Sequence, residues 1–301
     1  MRTRFAPSPT GPLHLGHAYS AILAHDMARA AGGEFLLRME DIDRSRARPH
    51  WEAMICDDLA WLGLAWDGPV MRQSERMPAY AAALDRLWQD DLLYPCTCTR
   101  RDIDAALAAP QEGVPVAGPD GPDGPVYPGT CRGKHCGGLP CSMSPRPTET
   151  HLRLDMGNAC GCLGHRIDSA HGGTFGLPFL ETGPAHPGDV FTSRDDYLTR
   201  IGDIVLARRD MGTSYHLSVV VDDAAQGITH VTRGEDLFEA TRIHVLLQRL
   251  LGLPTPLYHH HCLIRDEHGK RLAKRDDARA IRKFRDEGAS PDDIRRMVGL
   301  A

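Results

Sequence analysis

One short segment near the N-terminus restricts the fold of this 301-residue chain more than any other. Residues 4–17, RFAPSPTGPLHLGH, predict a short strand, a turn rich in proline and glycine, and the start of a helix that continues over residues 18–31. His14 and His17 therefore lie at a helix N-terminus, where backbone N–H groups and the helix dipole favour a phosphate. Both imidazoles can donate to one phosphate chain, and Gly16 leaves room for a base or ribose against the backbone. The segment predicts a nucleotide site.

The composition is that of a globular protein without a membrane partner. With 42% hydrophobic and 25% charged residues the chain is not expected to be disordered, and no apolar run is long enough to span a bilayer. The chain does not open on a charged segment followed by an apolar stretch, so we expect no secretory signal and a cytoplasmic location. The net charge of −5 does not indicate nucleic-acid binding, but Lys and Arg cluster over residues 265–296, and local charge can bind RNA.

The residues after the first helix predict a parallel sheet. Residues 34–39 (EFLLRM) form the expected second strand, which completes a βαβ unit. Parallel strands built in this way bind their ligands at the carboxyl ends. The acidic stretch 40–44 leaves the sheet at that edge, either as a solvated turn or as a segment in which Glu40 accepts the ammonium of an amino acid. Helical periodicity over residues 51–62 and 77–88 completes an α/β pattern.

The cysteine spacing predicts a metal site in an insertion. Nine cysteines in a chain expected in the cytosol indicate metal ligands or buried thiols, not a disulfide framework. Cys96 and Cys98 follow a strand, and Cys131 comes after a stretch rich in Gly and Pro, residues 110–128, that predicts a flexible insertion. Zinc requires four ligands from two short loops, and softness favours thiolate or imidazole for the fourth. The candidates for that fourth ligand are Tyr127, His135, Cys136 and Cys141.

Residues 132–190 are the least regular part of the sequence. Short strand-like pieces, such as residues 150–154, are separated by Gly, Pro and His, which predicts an irregular insertion. We expect its scattered histidines to be solvated. Cys160 and Cys162 are interpreted as buried thiols or as part of a second small metal site.

Regular structure returns in the second half of the chain. Residues 203–208 and 228–233 predict strands, residues 237–251 predict a helix, and a last strand is expected over residues 258–264. Arg233 ends the second of these strands and faces the same cleft, where its planar fork can bind a carboxylate through two parallel hydrogen bonds. A surface ion pair is the simpler alternative for this arginine.

Two motifs resemble those of a known enzyme family. The segment 4–17, with its HxGH ending, resembles the HIGH signature of class I aminoacyl-tRNA synthetases in the form of the glutamyl and glutaminyl branch. Residues 268–275 (HGKRLAKR) resemble the KMSKS loop, with Arg271 in place of the first lysine and Ala273 in place of the serine. The resemblance implies that Lys274 neutralises the triphosphate as pyrophosphate leaves. The implied ATP site comprises His14, Gly16, His17 and Lys274.

The same resemblance implies a glutamate site. In it Glu40 accepts the α-ammonium, Arg4 binds the side-chain carboxylate, and Tyr215, which precedes the run VVVDD, contacts the amino acid. A half-buried packing role is the alternative for Tyr215. The complete implied set is Arg4, Phe5, Ala6, Pro7, Ser8, Glu40, Tyr215 and Arg233.

For the metal, the chain resembles the short glutamyl-tRNA-synthetase-like proteins that modify queuosine. In these proteins a C-x-C motif is followed by Y-x3-C, and residues 127–131 have that spacing. The resemblance implies zinc held by Cys96, Cys98, Tyr127 and Cys131. The additional downstream cysteines depart from this pattern and could compete for the ion.

The resemblance covers nearly the whole chain and implies its organisation. The expected fold is α/β, a Rossmann-like class I synthetase catalytic domain with an inserted zinc-bearing subdomain. The chain ends 26 residues after Arg275, so no anticodon-binding domain is expected. The implied units are the catalytic halves 1–95 and 201–264, the inserted acceptor-type subdomain 96–200, and the KMSKS-like loop with a short helical segment, 265–301.

The implied activity has two steps. ATP, with magnesium, and L-glutamate form glutamyl-adenylate, and glutamate then passes to the queuosine base in the anticodon loop of tRNA(Asp). A truncated enzyme that charges a tRNA 3′ end and an inactive tRNA-binding protein are alternatives, as is a nucleotidyltransferase for a small metabolite. We expect a monomer.

Overall fold

Strands from both ends of the chain form the central sheet, in a computed structural model that describes residues 1–108, 120–134, 140–164, 175–264 and 280–300. The first part contains β1 (Arg2–Phe5), α1 (Leu15–Ala30), β2 (Glu34–Met39), α2 (Pro49–Trp61), β3 (Met71–Arg72) and α3 (Met77–Gln89). The middle contains β4 (Leu93–Cys96), α4 (Arg100–Ala108), β5 (Asp120–Gly121), β6 (Gly124–Pro125), β7 (His151–Leu154) and α5 (Met156–Gly164). The last part contains β8 (Gly176–Glu181), β9 (Gly188–Ser193), α6 (Arg194–Asp196), β10 (Val205–Ala207), α7 (Tyr215–Ala225), β11 (His230–Gly234), α8 (Phe238–Leu251), β12 (Leu257–His261), α9 (Ile281–Asp286) and α10 (Pro291–Val298).

The strand order has a switch point between β1 and β11. Strands β1, β2 and β3 are parallel, and so are β11, β12 and β8, while β9 pairs antiparallel with β8. The two sets meet where the Thr229 backbone N–H donates to the Arg2 carbonyl oxygen at 3.0 Å and the Arg2 N–H donates to the Thr229 hydroxyl at 2.8 Å. The crevice at the carboxyl ends of β1 and β11 is where open α/β sheets bind their ligands. The predicted Rossmann-like fold is confirmed.

The middle of the chain forms a smaller antiparallel sheet. Strand β7 pairs with β4 on one side and with β10 on the other, and β5 and β6 form a separate hairpin. Strands β8 and β9 fall within residues 96–200, which the sequence assigns to the insertion, yet β8 pairs with β12 of the central sheet. Conversely, β10 falls within residues 201–264 but joins the smaller sheet. The placement of these strands differs from the expected boundaries because pairing partners are not encoded locally.

Helix α5 was not predicted from the irregular stretch 132–190. Its residues include three glycines, which weaken helical propensity. The Asp155 carboxylate accepts the Asn158 backbone N–H at 2.9 Å, which caps the first turn, and Cys160 on the helix is buried. Packing against the core therefore stabilises this helix although the helical propensity of its residues is low.

Two apolar cores support the sheet. One packs α1 and α2 against β1 and β2 and includes Ile294 of α10, and the other packs α3, α7 and α8 around β8 and β12. Trp88 is buried in the second core, and the other three tryptophans are half-buried, as expected of packing residues. In the described part of the chain, no helix has the length and apolarity needed to cross a bilayer.

A buried carboxylate joins α3 to α7. Asp222 is fully buried and accepts the Tyr80 hydroxyl at 2.7 Å, the Gln73 side-chain amide at 3.0 Å and the Arg76 Nε at 3.1 Å. A hydrogen bond to a charged group contributes about 1.5–3 kcal/mol, so Tyr80→Phe should lower the free energy of unfolding by about 2 kcal/mol in denaturant titration. An unchanged unfolding midpoint would show that water replaces the lost donor.

Candidate active site and metal cluster

The ring of His14 caps helix α1 and pairs with that of His17. The Nδ1 of His14 accepts the Gly16 backbone N–H at 3.2 Å, and the Nδ1 of His17 accepts the His14 backbone N–H at 3.2 Å. The ring centroids are 3.8 Å apart. Because both Nδ1 atoms accept, each neutral ring carries its proton on Nε2, and both rings line the cleft at the carboxyl edge of the sheet. The pair thus provides donors beside a helix N-terminus, as a phosphate site requires.

A buried charge cluster joins β1, β2 and α7. Arg4 donates through Nε and Nη2 to the two oxygens of Asp223 at 3.0 and 3.4 Å, and Arg38 donates to Asp223 at 2.7 Å. The Nη2 of Arg38 also lies 3.7 Å from the Glu40 carboxylate. Burial opposes ionisation of Asp223, but the two guanidiniums outweigh it and hold the pKa of that carboxyl below its usual value. Asp223 therefore holds both arginines beside Glu40.

Glu40 comes directly after β2 and lines the cleft. Its backbone N–H donates to the Pro7 carbonyl oxygen at 3.0 Å, which ties the end of β2 to the loop before α1. Its side chain is 12% exposed. Burial raises the pKa of Glu40, although Arg38 and Arg4 act in the opposite direction. A carboxylate in this position gains from an ammonium group that enters the cleft.

Arg233, in strand β11, is held by three side chains. Its Nε donates to His260 Nε2 at 3.0 Å, Nη1 donates to His244 Nδ1 at 3.0 Å, and Nη2 donates to the Thr241 hydroxyl. The guanidinium lies 5.3 Å from the centroid of the Tyr258 ring. Arginine has five N–H donors, so these bonds within the described residues leave one donor on each terminal nitrogen. Arg233 lines the cleft, and such a pair matches the two oxygens of a carboxylate.

The imidazoles around Arg233 are neutral. Burial, with the nearby charge of Arg233, lowers the pKa of His260 to about 4, and the same two causes lower the pKa of His244 well below its usual value. The backbone N–H and Nδ1 of His260 donate to the buried Glu181 carboxylate at 2.9 and 2.5 Å. Both rings therefore offer Arg233 a lone pair instead of a second positive charge.

Tyr215 begins helix α7 at the wall of the cleft. The preceding residue, Ser214, caps the helix by accepting the Leu217 backbone N–H at 3.3 Å. The Tyr215 ring contacts the rings of His216 and His244 with centroid distances of 5.5 and 5.6 Å. Burial raises the pKa of Tyr215, so its hydroxyl remains protonated and can both donate and accept.

Three thiols and one phenol meet at the end of β4. The sulfurs of Cys96, Cys98 and Cys131 all lie within 4.8 Å of one another, with 3.4 Å between Cys98 and Cys131. The Tyr127 hydroxyl lies 3.5 Å from Cys96 Sγ and 3.3 Å from Cys98 Sγ. Tetrahedral zinc with Zn–S bonds of about 2.3 Å places its sulfur ligands about 3.8 Å apart, so the cluster has nearly the required size. The three cysteines could hold a metal ion.

Arg153 of strand β7, which pairs with β4, contacts this cluster. Its Nε donates to Cys96 Sγ at 3.3 Å, and its guanidinium lies 3.8 Å from the centroid of the Tyr127 ring. A cation beside a thiolate stabilises its negative charge, and hydrogen bonds from outside the ligand set orient the ligands. Cys141 packs against both this cluster and the second apolar core, and it is disulfide-bonded, so it offers no free thiolate to an ion. Cys160 is buried in the second apolar core, and Cys162 packs against that core.

Every predicted ATP-site and glutamate-site residue that the structure describes lines one cleft of about 1170 Å³. Cys98 and Tyr127 of the candidate metal site line it too. Lys274, His135 and Cys136 lie outside the described residues. The described residues on either side of residues 265–279 adjoin the site, since Ile264 lines the cleft and Ala280 forms a β-bridge with His14. The described members, whose individual roles stay predictions, are Arg4, Phe5, Ala6, Pro7, Ser8, His14, Gly16, His17, Glu40, Tyr215 and Arg233.

Sequence reasoning did not identify the residues that hold the site together. Arg38 lies inside the apolar strand EFLLRM, and Asp223 lies in the run VVVDD. A charged residue within an apolar element indicates a buried ion pair, and this pattern could have identified both residues. His244 and His260 carry no comparable signal in the sequence. Only the meeting of β11, α8 and β12 brings them to Arg233.

Comparison with known proteins places this geometry in a family. The family described as tRNA synthetases class I (E and Q), catalytic domain, matches residues 1–113 and 188–301. The unmatched residues between these ranges include the hairpin β5–β6, Tyr127, Cys131 and the strand β7. The match therefore covers the central sheet, except for β8, and leaves most of the insertion aside.

Individual proteins show the same relationship. The glutamyl-Q tRNA(Asp) synthetase of Rhodobacter capsulatus is 65% identical over 300 residues, covering 100% of both chains. That of Nocardia farcinica is 38% identical, covering 97% of this chain and 81% of its own. A glutamate tRNA ligase from Elizabethkingia meningosepticum, solved in complex with its amino acid, superposes with a TM-score of 0.73 at 27% identity, and this chain spans 60% of its length. The chain belongs to the class I tRNA synthetases of the glutamate and glutamine type, and within them to the group of glutamyl-Q tRNA(Asp) synthetases.

Proposed function

We propose that this protein activates L-glutamate with ATP and transfers it to the queuosine base in the anticodon loop of tRNA(Asp). The observation that carries the proposal is a single cleft lined by two chemically distinct groups of residues. His14 and His17 offer donors at a helix N-terminus, and Glu40, Arg4 and Arg233 offer one negative and two positive groups. The first group suits a triphosphate, and the second matches the charges of glutamate.

The charges of Glu40, Arg4 and Arg233 select glutamate over glutamine. The Glu40 carboxylate accepts the α-ammonium, while Arg233 and Arg4 bind the two carboxylates and the Tyr215 hydroxyl contacts the amino acid. Arg4 makes three hydrogen bonds, two to Asp223 and one to the Thr232 carbonyl oxygen at 3.3 Å, which also leave one donor on each terminal nitrogen within the described residues. A charged hydrogen bond contributes about 1.5–3 kcal/mol, so an amide in place of the carboxylate should cost one to two orders of magnitude in affinity.

In the first step a carboxylate oxygen of glutamate attacks the α-phosphorus of ATP. A new P–O bond forms, the bond from the α-phosphorus to the bridging oxygen breaks, and pyrophosphate leaves with the electron pair. His14 and His17 donate to the phosphates, Gly16 admits the nucleotide close to the backbone, and Lys274 neutralises the charge that grows on the leaving group. ATP enters as its magnesium complex.

In the second step a hydroxyl oxygen of the queuosine base attacks the carbonyl carbon of glutamyl-adenylate. The new C–O bond forms the ester, the bond to the phosphate oxygen breaks, and AMP leaves and takes up the hydroxyl proton. The acceptor is part of the anticodon loop, so this loop must enter the cleft. We propose that the protein acts as a monomer in the cytoplasm, where ATP and tRNA are available.

The metal cluster suits a structural zinc ion. Cys96, Cys98, Cys131 and the Tyr127 hydroxyl supply four donors, and a site with four protein ligands leaves no position for a substrate. Zinc there would tie the end of β4 to residues 127–131 and so shape the wall of the cleft. The soft thiolates favour zinc over magnesium or calcium.

The experiment that tests the function is transfer of labelled glutamate, with ATP, to defined tRNAs. We expect label on tRNA(Asp) that contains queuosine, and we expect the same labelling after removal of the 3′-terminal adenosine, because the acceptor is in the anticodon. Queuosine-free tRNA(Asp) should remain unlabelled. Mild base should release the label, as it does for an ester.

The alternatives predict other outcomes of the same experiment. Label that requires an intact 3′ end on tRNA(Glu) would identify a charging enzyme and contradict the proposal. Binding of tRNA without consumption of ATP would identify an inactive RNA-binding protein. Activity on glutamate and ATP that never reaches RNA would point to a small-molecule acceptor.

A further inference from the structure

The proton positions in the imidazole chain beside Arg233 follow from hydrogen bonding alone. The guanidinium can only donate, so the Nδ1 of His244 is an acceptor and its proton must be on Nε2. That Nε2 lies 3.1 Å from the Nδ1 of His216, which must then accept. The proton of His216 is therefore on its Nε2, which lies 3.6 Å from a carboxylate oxygen of Asp123. Two hydrogen-bonded rings thus connect Arg233 to Asp123, whose carboxylate oxygen lies just beyond hydrogen-bond distance of the second ring.

A single ring lies on the other side of the guanidinium, and its carboxylate partner is within hydrogen-bond distance. His260 Nε2 accepts from Arg233 Nε at 3.0 Å, so its proton is on Nδ1 and is donated to Glu181. Glu181 is 1% exposed and belongs to β8 of the central sheet. Asp123, by contrast, has a side chain that is 52% exposed and lies in the turn of the hairpin β5–β6. One anchor of Arg233 is thus part of the core, and the other belongs to the insertion.

The hairpin is held closely against the segment before β10. A Cβ at Gly121 would lie 2.5 Å from the Arg200 carbonyl oxygen, and a Cβ at Gly202, whose φ is +68°, would lie 2.6 Å from a methyl group of Val126. Backbone approaches this close require glycine. They set the position of the hairpin turn, and with it the position of Asp123 beside His216.

We propose that the inserted hairpin completes the amino-acid site: Asp123 acts through His216 and His244 as a positioning residue for Arg233. This inference rests on the proposed role of Arg233 in holding glutamate. The guanidinium requires the proton of His244 on Nε2, and the Asp123 carboxylate favours the same arrangement from the other side because it attracts the Nε2 proton of His216. Without Asp123 only the guanidinium favours this arrangement, and the alternative in which His244 directs an N–H at Arg233 becomes less unfavourable.

The test is glutamate-dependent ATP–pyrophosphate exchange by the full chain, without tRNA. Asp123→Ala should raise the KM for glutamate by about threefold to tenfold and leave the KM for ATP unchanged, because the two imidazoles lead to Arg233 and not to the histidines proposed to bind phosphate. His216→Leu should do the same, and His216→Gln should restore most of the affinity, since an amide can accept from one neighbour and donate to the other. Asp120→Ala, in the same hairpin and also exposed, is the matched control and should leave both constants unchanged.

Two outcomes separate this inference from the function on which it rests. If Asp123→Ala and the double variant Asp123→Ala/His216→Leu both keep the parent's KM for glutamate, Asp123 and His216 do not position Arg233. We expect instead that the double variant has the same raised KM as His216→Leu alone, because both changes interrupt the same series of contacts. A parent protein that shows no glutamate-dependent exchange would overturn the proposed function instead.

Discussion

Replacing Arg233 with leucine should reduce kcat/KM for glutamate by about 10²–10³-fold in ATP–pyrophosphate exchange, which corresponds to about 3–4 kcal/mol. The side chain is 6% exposed, and its remaining donors face a cleft instead of bulk water. A glutamate carboxylate that enters this cleft would be buried without its partner. The KM for ATP should change little because the proposed nucleotide site consists of other residues, His14, Gly16 and His17 among them.

A lysine at the same position should recover only a small part of this loss. The three bonds to His260, His244 and Thr241 use the planar geometry of the guanidinium, and an ammonium group cannot make them and still present two parallel donors. Arg249→Leu removes an exposed arginine of helix α8 and is the matched control, expected to behave as the parent. If Arg233→Leu kept the parent's kcat/KM for glutamate, Arg233 would have no part in amino-acid binding.

Loss of one thiol from the metal cluster should remove the metal and loosen the insertion. We expect about one equivalent of zinc in the purified protein and almost none in Cys131→Ala, measured by elemental analysis, because two thiolates and a phenol do not hold zinc in a closed site. The melting temperature should fall in parallel, since zinc affinity contributes directly to the folding free energy of small metal-bound units. A strong chelator should lower the melting temperature of the parent in the same way.

Two further variants make the metal prediction specific. Tyr127→Phe removes only the oxygen donor and should retain zinc with reduced affinity, which competition with a coloured chelator measures. Cys56→Ser changes a half-buried thiol on helix α2, away from the cluster, and should keep the full metal content. Zinc content that is equal in the parent and in Cys131→Ala would contradict the assignment of the cluster as the zinc site.

Much of the architecture could be predicted because the relevant patterns are local. The strand predicted over residues 34–39 coincides with β2, and the helix predicted after residue 17 coincides with most of α1. The prediction that His14 and His17 lie at a helix N-terminus is confirmed, with His14 as the cap. Each of these conclusions needs only the residues within one turn or one strand, so a sequence contains the required information.

The elements that could not be predicted depend on distant partners. Helix α5, with three glycines, forms because one of its faces packs against the core. Strand β8 joins the central sheet because it pairs with the edge of β12. Neither reason is visible in the residues of the element itself. The same holds for β10, which pairs with β7 of the smaller sheet although the expected boundaries place it in the catalytic half of the chain.

For the site, the sequence by itself determined which chemical groups are present and the tertiary structure decided how they are oriented. The HxGH segment, Glu40, Arg233 and the spacing of Cys96, Cys98, Tyr127 and Cys131 are visible in the chain, because each motif is compact or carries a charge at a strand end. The partners of Arg233 come from α8 and β12, and the hairpin aspartate lies far upstream of the histidine it faces. A hydrogen bond depends on distance and direction in space, and only packing sets these for residues far apart in the chain.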